Sequence, residues 1–207
     1  MISAEHSDPQ PPRPAVHAPQ VRAYVLRKVG WGVLLAGVAF AASVALRLPL
    51  GWIALRDLER SVLLALGGWL LVLPVLLHSA RQPKIQAAYP ELRVQPRTPH
   101  VVAASAFAWL LYLLGYELFF RGLLLHWGIA LWGLVPGVAV MTLVYVLAHL
   151  GKPRAEMLIC FVVGPAFAAL TLWTGTIWSV TLLHILIALT NENAAAHWNP
   201  EFRSDSA

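Results

Sequence analysis

Six apolar runs dominate the chain, at about 28–49, 61–79, 101–127, 135–151, 155–173 and 177–191, with short polar or glycine- and proline-bearing segments between them. Each approaches the roughly 20 residues that an α-helix needs to cross a hydrocarbon core about 30 Å thick, the last run being short. Lipid offers no partner to a backbone N–H or C=O, so spans of this kind must be helices. The pattern predicts an all-α polytopic membrane protein, a bundle of about six transmembrane helices. Pro74 and Pro165 lie inside runs and predict kinks, or places where neighbours satisfy a freed carbonyl. Residues 80–100 are polar and contain Pro83, Pro90 and Pro96, which reads as an interfacial connector with one helical turn.

Outside the runs, residues 1–24 are rich in Pro, Ala, His and Ser without periodicity and predict a disordered cytoplasmic tail. No short apolar core sits near the start, so a cleavable signal peptide is not expected. Residues 25–192 read as a single transmembrane domain, and 193–207 as a cytoplasmic C-terminal tail.

Composition agrees with the pattern. Charged residues make up 12% of the chain, where a soluble domain carries about 25%. Most of the nine Trp flank apolar runs, as interfacial aromatics do. The formal charge of +5 is distributed by topology. Arg13, Arg22, Arg27, Lys28, Arg81, Lys84, Arg93, Arg97, Lys152, Arg154 and Arg203 fall on one side, Arg47, Arg56 and Arg60 on the other. The positive-inside rule then places both termini in the cytoplasm. Because the basic residues sit between spans, nucleic acid is not an expected partner. The single cysteine, Cys160, excludes an intrachain disulfide and reads as packing within its run.

Against this background Glu117 stands out as the one carboxylate placed deep in a span. A charge at that depth costs roughly 2.5–3.5 kcal/mol on insertion scales, which makes it a functional candidate. Arg121 follows four residues later, in position for an i,i+4 pair. His149 and His184 lie in later runs. Counted from the outer turns at 1.5 Å per residue, Glu117, His149 and His184 lie at depths of roughly 16, 22 and 12 Å, close enough for one shared site. Tyr145 precedes His149 by four residues, and Tyr116 reaches the same cavity only at its edge. His126 reads as an interfacial residue near the outer end of its span.

At these residues the chain resembles the CPBP family, the CAAX prenyl endopeptidases and bacteriocin-processing membrane proteins. That family carries Glu-Glu-x-x-x-Arg, then Phe-x-x-x-His, then His-x-x-x-Asn or Asp, each on a membrane helix. Glu117, Arg121 and Gly122 match the first motif, Tyr145 and His149 the second with one aromatic for another, and His184 the third. The resemblance extends over about residues 87–191, including Tyr89-Pro90-Glu91-Leu92-Arg93. Tyr116 stands where the family has its first Glu, the proposed activator of water, and Ala188 where it has Asn or Asp.

The resemblance implies a multi-pass protein of a bacterial inner or plasma membrane, acting on a membrane-associated peptide or protein. Its activity would be that of an intramembrane endopeptidase, with Glu117, Arg121, His149 and His184 as catalytic residues. Desolvation strengthens a buried carboxylate as a base, and Arg121 opposes that. Glu117 is assigned as base for a water, one imidazole as donor to the developing oxyanion, and the other as holder of the water or of a metal. Two His and a carboxylate form a known zinc ligand set, so zinc on His149 and His184 stays open, although His-Glu-x-x-His is absent. A metal-independent mechanism is the favoured alternative, with no cofactor required. Gly-x-Ser-x-Gly is also absent, and Cys160 has no adjacent base, which argues against nucleophilic catalysis. Two further readings stand beside the enzyme: a catalytically inactive CPBP-like scaffold that binds a partner, suggested by Tyr116 and Ala188, and a small proton-coupled transporter.

Overall fold

The computed structural model describes residues 18–202, which are helical with short connections and contain no strand. The helices are α1 (Ala18–Ala45), α2 (Leu58–Ser79), α3 (Pro83–Ala88), α4 (Pro99–Glu117), α5 (Leu125–Trp132), α6 (Leu134–Leu147), α7 (Arg154–Thr174) and α8 (Trp178–Trp198). A π-helical segment, Leu118–Leu124, joins α4 to α5, so that Pro99–Trp132 is one continuous 34-residue rod. This rod, α1, α2 and α7 are the four helices long and apolar enough to cross a membrane. The other two expected spans are also helices. However, α6 has only 14 residues, and the C-terminal part of α8 carries Asn191, Glu192 and Asn193. The fold is an all-helical polytopic bundle.

Sequence boundaries are set by local chemistry. Thr98 caps α4, its hydroxyl accepting from the Val101 N–H at 3.3 Å, and Pro99 occupies the first turn, where no donor is required. α2 and α7 run on through Pro74 and Pro165. The bundle packs α1 on α4, α2 on α8, and α5 on α6, with α7 against α6. The α1–α4 contact is exceptionally close: a methyl group built on Gly115 would overlap the Gly32 carbonyl. Only two glycines facing each other allow the backbones to approach so nearly.

Three boundaries differ from expectation. α1 begins at Ala18, so the last seven residues assigned to the 1–24 tail are helical, and residues 1–17 lie outside the described residues. At the other end, the supposed tail 193–207 is helical through Trp198 and continues into a 3₁₀ turn, Pro200–Phe202, while 203–207 fall outside the described residues. Glu201 in that turn pairs with Arg93 at 2.7 Å and fastens it to the connector. Finally, α6 stops at Leu147 rather than near 151, which leaves His149 in the turn beyond the helix.

The connector is more ordered than its prolines suggest. After α3, residues 89–98 pack against α8, and two of their backbone donors are met by a buried acid. Glu192 of α8, 1% exposed, accepts from the amides of Glu91 at 2.9 Å and Leu92 at 3.4 Å, and from the Ser105 hydroxyl at 3.0 Å. Arg93 adds donors to the carbonyls of Gln86 and Ala87 at 2.6 and 2.9 Å.

Candidate active site

The rod formed by α4, the π-helical segment and α5 brings Glu117 and Arg121 into the centre of the bundle, where both are fully buried. π-Helical turns are rare and often mark functional sites. Here the turn covers Leu118–Leu124, immediately after Glu117. The side-chain position at Gly122 is filled instead by the ring of Trp52, from the loop after α1, which also stacks on His126 at 6.1 Å. The Nδ1 of His126 lies 2.9 Å from the carbonyls of both Arg121 and Gly122. It braces the turn rather than merely marking an interface.

Arg121 Nη1 lies 3.1 Å from Oε2 of Glu117. Its guanidinium carbon also lies 4.3 Å from the centre of the Tyr145 ring and 5.1 Å from that of Phe167. A buried guanidinium is held here by one carboxylate and two aromatic faces, each of which attracts a cation. Oε1 accepts from Nδ1 of His184 at 2.5 Å and from Nη1 of Arg121 at 3.3 Å. Three of the four sequence-predicted residues therefore form one chain, Arg121–Glu117–His184.

His149 reaches the same place by a different route. Its Nδ1 donates to the Tyr145 carbonyl at 2.9 Å, closing off the end of α6. A carbonyl only accepts, so the neutral ring must carry its proton on Nδ1 and a lone pair on Nε2. His184, donating from Nδ1 to a carboxylate, is left in the same tautomer.

Between the imidazoles stands Tyr116. Its ring meets His184 edge-on at 5.9 Å and His149 at 6.2 Å. Tyr116 is thus central, not at the edge as its 100° offset from Glu117 suggested. Tyr116, His149, His184, Lys28, Lys152 and Asn191 help to line a cavity of about 100 Å³, which has room for several waters. Glu117 does not line it. The carboxylate lies behind His184, with Oε1 engaged by that ring and by Arg121 and Oε2 without a hydrogen-bond partner among the described residues, so a water held in this cavity meets the imidazoles rather than Glu117.

The mouth of the cavity contains residues to which the sequence assigned no role in the site. Lys28, counted as a topology-setting cation, is 8% exposed and sits 3.0 Å from the centre of the Trp109 ring. It pairs with Glu91 at 2.8 Å, and Lys152 reaches the other oxygen of Glu91 at 2.5 Å. Burial alone would push the Glu91 carboxyl up; the two ammonium groups outweigh it and hold the group below the usual carboxylate range. Tyr89 donates to Glu156 at 2.7 Å. Its hydroxyl is pushed up by burial and by the charge of Glu156.

Residues 98–190 match the family model described as type II CAAX prenyl endopeptidase, Rce1-like. The match falls on the resemblance drawn from the motifs and contains Glu117, Arg121, Tyr145, His149 and His184. No protein of curated function and no solved structure matches the chain. The matched family is one of proteases acting in membranes. Lys28, Tyr89, Glu91, Asn191 and Glu192 lie outside the matched stretch, yet they build the mouth of the cavity and the connector that crosses it.

Nε2 of His149 and of His184 is open, which suits a metal ligand, but Glu117 is engaged by Arg121 and His184, and no three His, Cys, Asp or Glu residues among the described residues are grouped to hold an ion. A catalytic zinc needs three protein ligands and an open position. The residues present do not fit it.

Proposed function

We propose that this chain is an intramembrane endopeptidase that hydrolyses a peptide bond in a membrane-embedded or lipid-proximal substrate with an imidazole-activated water. The observation that carries the reading is the Glu117–His184 hydrogen bond at 2.5 Å beside a cavity shared with His149. In this reading Glu117 fixes the tautomer and orientation of His184, and Arg121 balances the carboxylate charge. Nε2 of His184 takes a proton from the water, as a positioned base does. Its imidazolium then faces the anion of Glu117, a carboxylate–imidazole relation that stabilises the charged ring. His149 accepts a second hydrogen bond from the water and holds it in line.

The family description supports a substrate with a prenylated C-terminal tail. The charge distribution supports cytoplasmic termini, which would put the connector and the cavity mouth at the cytoplasmic side, where such tails are found.

The test uses the full chain in proteoliposomes with an internally quenched peptide carrying a farnesylated cysteine followed by three residues and a free carboxylate. Cleavage by the parent and its loss in Glu117→Gln, His149→Ala and His184→Ala, with unchanged expression and melting, is the expected result. Full activity in all three variants would overturn the reading.

A further inference from the structure

The hydroxyl of Tyr116 is buried and has no hydrogen-bond partner among the described residues, and the residue is 5% exposed. A buried hydroxyl left unpaired is destabilising, so a ligand that satisfies it is favoured. Its orientation is tightly fixed. Phe120 lies 4.4 Å away and Tyr145 5.9 Å away, ring centre to ring centre. The side chain lines the cavity together with His149 and His184.

Hydrogen-bond capacity makes the position informative. Neutral His149 and His184 have both spent their N–H on other partners, and each offers only a lone pair at Nε2. Neither can donate to the oxygen of a bound carbonyl. Lys28 and Lys152 are tied to Glu91 at the mouth. The phenol is the donor whose ring touches both imidazoles.

We propose that Tyr116 is a catalytic residue whose O–H donates to the carbonyl oxygen of the scissile peptide bond, a role that rests on the peptidase reading above. His184 removes a proton from water, and the hydroxide oxygen bonds to the carbonyl carbon. The π pair of the C=O moves onto oxygen, where the Tyr116 hydroxyl meets the new negative charge. On collapse the C=O re-forms and the C–N bond breaks. The nitrogen leaves with the proton held by the His184 imidazolium, and one water has been consumed to give a carboxylic acid and an amine. Tyr116 keeps its proton throughout, and its hydrogen bond strengthens as charge develops, which is the condition for lowering a barrier.

The experiment compares the parent, Tyr116→Phe and Tyr24→Phe on the farnesylated quenched peptide in proteoliposomes. Tyr24 is the control because its hydroxyl is also buried without a partner, but it does not line the cavity. Losing one such donor costs about 10²–10³-fold in kcat. Tyr116→Phe is expected to lose that much in kcat with KM and the shape of the pH profile unchanged, and Tyr24→Phe to match the parent. An active parent with Tyr116→Phe within twofold of it overturns the role of Tyr116 alone. An equal loss in Tyr24→Phe overturns it as well, since the effect would then be structural. A parent that cleaves nothing overturns the peptidase reading, and this role with it.

Discussion

Nδ1 of His184 and Oε1 of Glu117 stand 2.5 Å apart in the centre of the bundle, and the pair fixes which imidazole nitrogen is free for chemistry. Replacing the carboxylate by an amide removes the charge that stabilises an imidazolium and permits the wrong tautomer. Glu117→Gln is expected to lower kcat by about 10²–10⁴-fold with little change in KM, by comparison with other carboxylate–histidine pairs. Initial rates on the quenched peptide check this. A rate within tenfold of the parent would show that the pair does not orient the base.

The glycine contact between α1 and α4 carries a stability prediction. In Gly115→Ala a methyl group must displace the Gly32 backbone, and overpacking of that kind costs about 1–3 kcal/mol or more. Gly30→Ala, one helical position with open space around it, should be neutral or slightly stabilising, within about 1 kcal/mol. Melting of the two variants in detergent separates them.

Glu91 makes stability depend on pH. Its folded-state carboxyl is held below the ordinary value by Lys28 and Lys152 against the opposing effect of burial. The stabilisation is therefore complete above the unfolded value of about 4.3 and disappears as pH falls through the lower folded value. Melting temperature should decline below about pH 4, and Glu91→Gln should be less stable than the parent at pH 7 with a flatter acid limb. An identical acid limb in the variant would show that the two lysines do not hold this group.

Glu192 secures the connector through three donors. Glu192→Leu leaves the amides of Glu91 and Leu92 and the Ser105 hydroxyl without their acceptor, at roughly 1–3 kcal/mol for each group that stays buried. Ser105→Ala removes one donor and should cost about 1 kcal/mol. Hydrogen exchange is the direct readout: amides 91 and 92 should lose protection in Glu192→Leu while those of α4 retain it.

Hydropathy revealed the helical architecture because each apolar run must hide its own backbone polar groups. The motif spacing likewise revealed that Glu117, Arg121 and His184 meet. The rest was hidden for specific reasons. Lys28 immediately precedes an apolar run and resembles a flanking cation; only the packing of α1 on α4 puts it over Trp109. Glu192 follows the last run, at the end of the stretch assigned to the transmembrane domain, and drew no role there, yet Asn191 seven residues after His184 already marks a shared polar face continuing down α8. Tyr116 was misplaced because an angular estimate on a regular helix says nothing about which neighbours close around the ring. The π-helical turn has no clear signature in Leu-Phe-Phe-Arg-Gly-Leu-Leu.

The meeting of Gly32 and Gly115 also bears on how this protein can be divided. Helix α1 delivers Lys28 to the cavity from some seventy residues ahead of the stretch that matches the endopeptidase family. A minimal version cut to that stretch would leave Trp109 bare and Glu91 missing with the rest of the connector. Any chimera built from this chain therefore has to keep α1 and the connector together with the matched stretch.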